Sequence, residues 1–323
     1  MTRDILQGSS ANLLMFLHFM NRFSCLLSIL LIIISLSCYS EVWTSKDGRT
    51  VDAEFVKVEK GRVWLRLGNG REMSAPFQTF IEEDQIRIKA LFYEAEEKEK
   101  QAREAERAAF LAAWPPGETV KRTTSGDVKA TYHVYIPTSF DPDNPPPLLY
   151  AFSPGGNGRG QLNKMRSSAE KVGWIVVGCD QLKNGMEHDV EEALEDAILA
   201  DVLAEVPHDV ESIFLSGFSG GAMRCYGISS RREELNVKGI LAFGGWIGGK
   251  DVIKELDFPK GMVVAMINGD SDKGANAWSE SDGKVLEKDG CEVEVFRFPG
   301  GHTMPSPEVI DEAIAWMMSE INP

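Results

Sequence analysis

Three short segments of the sequence carry the residue types of a nucleophile, a base and an orienting acid. A GxSxG pentapeptide, Gly217–Gly221, follows the apolar run 213–215 and has Ser219 at its centre. A serine hydroxyl attacks a carbonyl at neutral pH only when a neighbouring base takes its proton and an acid orients that base. Asp272 and then His302 follow Ser219 in the chain, in the order serine, acid, histidine. The pattern predicts a Ser-His-Asp triad that transfers an acyl group to water.

The surroundings of Ser219 support this interpretation. An apolar run precedes the pentapeptide and a helical pattern follows it, which is the strand–turn–helix context that a GxSxG nucleophile requires. Gly217 and Gly221 leave room for a sharp turn that lifts the hydroxyl of Ser219 above the sheet. Gly220, at the start of the helix, offers a free backbone N–H to an oxyanion.

The sequence offers one well-placed histidine as the base and two aspartates as the acid. His302 follows the strand-like run 293–298 and two glycines, whereas the other histidines lie in less suitable places. Asp270 and Asp272 both follow the run 262–267, at the sheet edge where α/β proteins place their sites. We favour Asp272 as the acid, and Asp270 stays open as the alternative.

A second oxyanion donor is expected in the loop Ser153-Pro154-Gly155-Gly156-Asn157-Gly158, after an early strand. Pro154 has no N–H, so the donor is expected to be Gly155 or Gly156. Trp246 either lines the acyl pocket or packs in the core. The chemistry needs no metal and no cofactor.

The elements that must position these residues are those of an α/β fold. From Gly117 onward, short apolar strands alternate with helical stretches, which predicts a mainly parallel sheet with helices on both faces over residues 117–323.

Two other patterns precede this domain. Residues 41–80 alternate in strand fashion between turn signals, with Val63, Leu65 and Leu67 on one face, and predict a small antiparallel β-barrel. Residues 81–114 lack Gly and Pro, are rich in charged side chains, and predict a helical linker. Pro115-Pro116 should end that helix.

Residues 1–40 are expected to be a targeting signal. The apolar run 26–36 is too short to span a bilayer and matches the hydrophobic region of a secretory signal, with cleavage expected near Ser40. Met20 gives such a signal its usual proportions if it is the true start. Acylation at Cys38 is the alternative. The protein is thus expected to be extracytoplasmic, periplasmic or secreted.

Composition restricts the partners. The 323 residues exceed one average domain, and 49 acidic against 34 basic residues give a net charge of −15. Such a field repels phosphate backbones, so nucleic acid is excluded as an expected partner. Cys179, Cys225 and Cys291, the three cysteines beyond the signal, are an odd number without a CxxC pair and are expected to be buried and unpaired.

The segments described resemble two known families. Ser219, Asp272, His302 and the 153–158 loop resemble the α/β-hydrolase family, in particular secreted polyhydroxybutyrate depolymerases, feruloyl esterases and dienelactone-hydrolase-like enzymes. Where those enzymes commonly carry His-Gly, this chain has Ser153-Pro154. The run 43–49, with Glu83-Asp84-Gln85, resembles the SH3-like Sla homology domain one, which implies protein or surface contact through residues 41–80.

Together these observations predict an exported serine hydrolase, a carboxylesterase acting through an acyl-enzyme on a small-molecule or polymeric ester. A serine peptidase of the same fold is one alternative. The other is a binding or attachment protein whose hydrolase domain is inactive.

Overall fold

The computed structural model describes residues 41–249 and 255–321. It forms two compact units with a boundary after Ala108. The predicted signal peptide, with Met20 and Cys38, lies outside the described residues. None of the helices in the described ranges is long and apolar enough to cross a membrane.

The first unit contains a four-stranded antiparallel sheet in the order β1-β2-β3-β4. Its strands are β1 (Glu41–Thr44), β2 (Thr50–Glu59), β3 (Arg62–Leu67) and β4 (Glu72–Pro76). The alternation predicted from the sequence is confirmed, because Val63 and Leu65 are buried beside Trp43 in one apolar cluster. The indole Nε1 of Trp43 donates to the backbone oxygen of Ala53 at 2.9 Å, so the buried ring has a polar partner. An antiparallel sheet is therefore present, and the SH3-like barrel stays a prediction.

Helix α1 (Glu82–Ala113) occupies nearly the range predicted for the charged linker. Its first turns are packed rather than solvated: Ile88 is buried in the cluster of the first unit. The carboxylate of Asp84 accepts a hydrogen bond from the backbone N–H of Thr44 at 2.6 Å. Farther along the helix, Nζ of Lys98 lies 2.7 Å from Oε1 of Glu94, an exposed ion pair at i,i+4 spacing.

The second unit contains an eight-stranded mixed sheet in the order β12-β11-β10-β9-β7-β8-β6-β5. The strands are β5 (Thr119–Thr123), β6 (Thr131–Tyr135), β7 (Leu148–Phe152), β8 (Ile175–Cys179), β9 (Ile213–Phe218), β10 (Val237–Phe243), β11 (Val263–Gly269) and β12 (Glu292–Phe298). Strands β7 to β12 pair in parallel, and β6 joins β5 and β8 in antiparallel fashion. Strand β5 was not predicted, because its polar run Thr119-Val120-Lys121-Arg122-Thr123 lies at the sheet edge and lacks the apolar pattern of the central strands.

Helices cover both faces of this sheet, as predicted. They are α2 (Gly158–Val172), α3 (His188–Glu205), α4 (Gly220–Arg231), α5 (Lys273–Asp289) and α6 (Pro307–Ile321). Helices α2 and α6 pack in one apolar cluster, and α3, α4 and α5 pack in another. The central strands are buried throughout because apolar helices meet them on both sides.

The three cysteines of the second unit are buried and form no disulfide, as the sequence predicted. Burial raises the pKa of the Cys291 thiol to about 12, and the pKa values of Cys179 and Cys225 rise further for the same reason. Protonated, buried thiols act as small apolar side chains in the core.

Candidate active site

Ser219 lies on a sharp turn between β9 and α4. Its backbone has φ +55° and ψ −120°, a conformation that a residue other than glycine adopts only under strain. As the N-cap residue of α4, Ser219 makes no capping hydrogen bond with its side chain, so its hydroxyl remains available for another contact. This strained turn presents Oγ at the carboxyl edge of the sheet.

The glycines of the pentapeptide are required by close backbone approach. A Cβ placed on Gly217 would lie 2.2 Å from the carbonyl carbon of Gly221. A Cβ placed on Gly221 would lie 2.3 Å from the backbone oxygen of Phe152 in β7. Both contacts are with backbone atoms and cannot be relieved by a side-chain rotation, so the steric reason predicted from the sequence is correct.

His302 and Asp272 complete a chain of hydrogen bonds that starts at Ser219. Nε2 of His302 lies 2.9 Å from Oγ of Ser219, and Nδ1 lies 2.7 Å from Oδ2 of Asp272. Asp272 follows β11 and His302 follows β12, so two neighbouring parallel strands deliver both side chains to one edge of the sheet. The ring of Phe218 lies 4.8 Å from the imidazole, centroid to centroid, and supports its face.

The environment of Asp272 favours its ionised form. Burial, the largest single influence on this carboxyl, opposes ionisation, but hydrogen bonds from His302 and from the backbone N–H of Ala275 outweigh it and hold the pKa below its usual range. The same side chain caps α5, with Oδ1 accepting from Ala275 at 3.2 Å. A carboxylate can only accept, so Nδ1 of His302 carries the hydrogen and Nε2 is free to accept from Ser219.

Asp270, the alternative acid, is exposed and lies two residues before the buried Asp272. Its backbone is used instead: the N–H donates to Phe298 at 2.9 Å, and the oxygen accepts from the Asn276 amide at 3.3 Å. The structure therefore brings Asp272, and not Asp270, against His302.

A cavity of about 420 Å³ opens above Ser219. Its lining is Asn184, Ser219, Gly220, Met223, Gly244, Gly245, Trp246, Asp272, Gly274, Ala275, Trp278 and His302. Trp246 lines the cavity together with Trp278, and the two rings lie 4.9 Å apart at 39°. This places the predicted pocket residue beside the nucleophile, with an aromatic partner that the sequence did not reveal.

The predicted oxyanion donors separate in the structure. Gly220 lines the cavity beside Ser219, whereas Gly155 and Gly156 line a second cavity of about 640 Å³ with Asp180, Gln181 and other residues. The N–H of Gly155 is 3.3 Å from Oγ of Ser153, and the N–H of Gly156 is 3.3 Å from the backbone oxygen of Ser153. Only Gly220 of the three lies at the Ser219 cavity.

Sequence reasoning also missed residues that shape this cavity from other loops. Gly244 has φ +56°, and a Cβ there would lie 3.2 Å from both Oδ2 of Asp272 and Nδ1 of His302. Asp282 on α5 is 1% exposed and accepts the backbone N–H of Ile247 at 2.9 Å, which holds the loop after β10. Burial raises the pKa of Asp282, and this effect exceeds the lowering of the pKa by the hydrogen bond from Ile247. No sequence signal marks these positions, because each contact joins segments distant in the chain.

Comparison with known proteins gives a likeness of fold. No protein-family model and no characterised protein sequence matches this chain. A CE1 ferulic acid esterase from Anaeromyces mucronatus, solved in complex with ferulic acid, is 17% identical with a TM-score of 0.50 over 64% of this chain and 92% of that chain. The same esterase without substrate gives a TM-score of 0.50 at 16% identity, with the same coverage of each chain.

A thermostable esterase is 16% identical with a TM-score of 0.48, and the match covers 62% of this chain and 62% of that protein, less than two thirds of its length. At these identities the likeness to the ferulic acid esterase shows a shared fold and nothing of its activity. The predicted α/β class is confirmed by the eight-stranded mixed sheet with helices on both faces.

Proposed function

We propose that this protein is a serine carboxylesterase in which Ser219 is the nucleophile, His302 the general base and Asp272 the acid that orients it. The observation that carries the proposal is the unbroken series from Oγ of Ser219 to Nε2 of His302 at 2.9 Å and from Nδ1 to Asp272 at 2.7 Å. These contacts are at hydrogen-bonding distance, which is the geometry that activates a serine hydroxyl.

In the first half of the reaction, Nε2 of His302 takes the hydroxyl proton of Ser219 while Oγ bonds to the ester carbonyl carbon. The electron pair of the carbonyl π bond moves to oxygen, which accepts a hydrogen bond from the N–H of Gly220 at the start of α4. Asp272 stabilises the imidazolium that forms. Collapse of the tetrahedral intermediate breaks the bond to the alcohol, which leaves with the proton from His302.

The second half repeats the first with water. His302 takes a proton from water as the oxygen attacks the acyl-enzyme, and collapse releases the acid and returns the proton to Ser219. The cavity of about 420 Å³ beside Ser219 is large enough for a small ester, and Trp246 and Trp278 offer apolar surface to its acyl or alcohol group.

Export and the role of residues 41–80 belong to the same proposal. An exported esterase would meet small-molecule or polymeric esters outside the cytoplasm, with residues 41–80 contacting a protein or a surface. Fractionation of cells that express the full chain tests the location. Recovery of the full-length protein in the cytoplasmic fraction alone would contradict export.

The catalytic proposal is tested with p-nitrophenyl acetate and butyrate. Wild-type protein should hydrolyse both, and Ser219→Ala should lose turnover. Ser319→Ala serves as the matched control, because Ser319 is exposed near the end of α6 and does not line the cavity. A fluorophosphonate probe should label wild type and Ser319→Ala but not Ser219→Ala. Equal turnover by wild type and Ser219→Ala would overturn the esterase proposal.

A further inference from the structure

The oxyanion site described so far has one donor where acyl transfer enzymes align at least two. We propose that the side-chain amide of Asn184 is the second donor, an inference that rests on the proposed esterase function. Pro154 lies where a donor was expected and has no N–H. The N–H groups of Gly155 and Gly156 are both directed to Ser153 within their own loop.

Asn184 lies in the loop after β8 and faces the same cavity as Ser219 and Gly220. Its side chain occupies the space directly beside Gly220: a Cβ built on Gly220 would lie 2.0 Å from Oδ1 and 2.5 Å from Nδ2 of Asn184. The amide is thus next to the residue whose N–H is the first donor. Rotation of the terminal amide presents Nδ2 to either side, since its oxygen and nitrogen are interchangeable in shape.

The backbone of Asn184 is anchored while its side chain is left available. The N–H of Asn184 donates to the backbone oxygen of Pro154 at 2.9 Å, which ties the loop after β8 to the loop that lacks a donor. The residue is exposed, and within residues 41–249 and 255–321 its side-chain amide has no hydrogen-bond partner. An amide held at the mouth of the cavity with unused N–H groups can donate to a ligand at little cost.

Gly220 and Asn184 fit one another. Any side chain at position 220 would enter the space of the Asn184 amide, so glycine at the variable position of GxSxG makes room for it. The same chain has proline in the loop where a backbone donor was expected. The missing backbone N–H at position 154 and the missing side chain at position 220 therefore have one explanation, a side-chain amide in place of a main-chain amide.

The role assigned to Asn184 involves hydrogen bonding only. When Oγ of Ser219 bonds to the carbonyl carbon, the new oxyanion accepts from the N–H of Gly220 and from Nδ2 of Asn184. Both bonds strengthen as negative charge develops, so they lower the barrier more than they stabilise bound substrate. Loss of Asn184 should therefore reduce kcat and leave KM nearly unchanged.

The test compares Asn184→Ala and Asn184→Asp with wild type on p-nitrophenyl acetate. Both variants should lose about 10²–10³ in kcat, with KM within about threefold of wild type. Asn184→Asp keeps the shape but replaces the donor by a carboxylate, so its loss should be at least as large. Lys183→Ala, the adjacent exposed residue that lines the second cavity, is the matched control and should retain wild-type kcat.

A trifluoromethyl ketone gives a second readout, because its serine adduct carries an oxyanion. Its inhibition constant should rise in Asn184→Ala by the factor by which kcat/KM falls. A kcat within about threefold of wild type in both Asn184 variants would overturn the assignment, as would unchanged ketone inhibition. Because Ser219→Ala is measured alongside, turnover that depends on Ser219 but not on Asn184 refutes this inference and leaves the esterase proposal intact.

Discussion

Replacing Asp272 by asparagine tests the proposed triad at its most specific contact. The carboxylate lies 2.7 Å from Nδ1 of His302 and is 6% exposed, so the hydrogen bond is short and largely shielded from water. An asparagine amide can donate to Nδ1, which would favour the tautomer with the hydrogen on Nε2. His302 could then no longer accept the proton of Ser219.

The expected loss is large in turnover and small in stability. The wrong tautomer costs about 10⁴ in kcat in serine hydrolases that use this arrangement, which corresponds to about 5 kcal/mol of activation free energy. Asparagine is as good an N-cap as aspartate, so the bond from Ala275 that begins α5 can survive. Asp272→Ala loses the cap as well, so its free energy of unfolding should be about 1 kcal/mol lower than that of wild type.

The assay is hydrolysis of p-nitrophenyl acetate, with urea unfolding of each variant to separate activity from stability. Asp270→Asn is the matched control, because Asp270 is exposed two residues away and contacts Phe298 and Asn276 through its backbone. It should keep kcat within about twofold. Asp272→Asn with more than a tenth of wild-type kcat, or an inactive Asp270→Asn, would refute the reasoning.

Three further outcomes follow from the structure. Gly217→Ala should fail to fold stably, since its Cβ would lie 2.2 Å from the backbone of Gly221, and soluble yield with circular dichroism reports it. Burial lowers the pKa of His208, whose Nε2 has no hydrogen-bond partner in the described residues. Below a pH of about 6.5 the unfolded state therefore binds more protons than the folded state, and the free energy of unfolding decreases as the pH is lowered. In His208→Asn the urea midpoint should fall less between pH 7.5 and 5.0, and an equal fall would contradict this. Trp246→Ala should raise KM for p-nitrophenyl butyrate by up to about tenfold through loss of the aromatic wall shared with Trp278, with kcat nearly unchanged.

Much of the fold and the GxSxG turn at Ser219 could be predicted from the sequence, because the signals are local. The apolar strands and their intervening helices follow from residue periodicity. The GxSxG turn follows from the collision of neighbouring backbone segments, which only glycines at 217 and 221 avoid. Serine, aspartate and histidine each follow a strand of one parallel sheet, which also predicts that their side chains meet, since parallel strands end at one edge.

The tertiary structure decided the choice of the triad acid, which the sequence left open, and the directions of the N–H groups in the glycine-rich loop. Asp270 and Asp272 have the same chemistry and neighbouring positions, and only the packing of α5 shows that Asp272 is the one buried against His302. Gly155 and Gly156 were predicted as donors from their loop, but their N–H groups are directed to Ser153.

The sequence by itself therefore determined the fold class and predicted that the side chains of Ser219 and His302 come together, because periodicity and turn sterics are properties of adjacent positions. Only the tertiary structure showed Asn184 beside Gly220 and Trp278 beside Trp246. Each of these contacts joins loops from different strands, and the direction of a loop side chain depends on every segment packed against it rather than on its own neighbours in the chain.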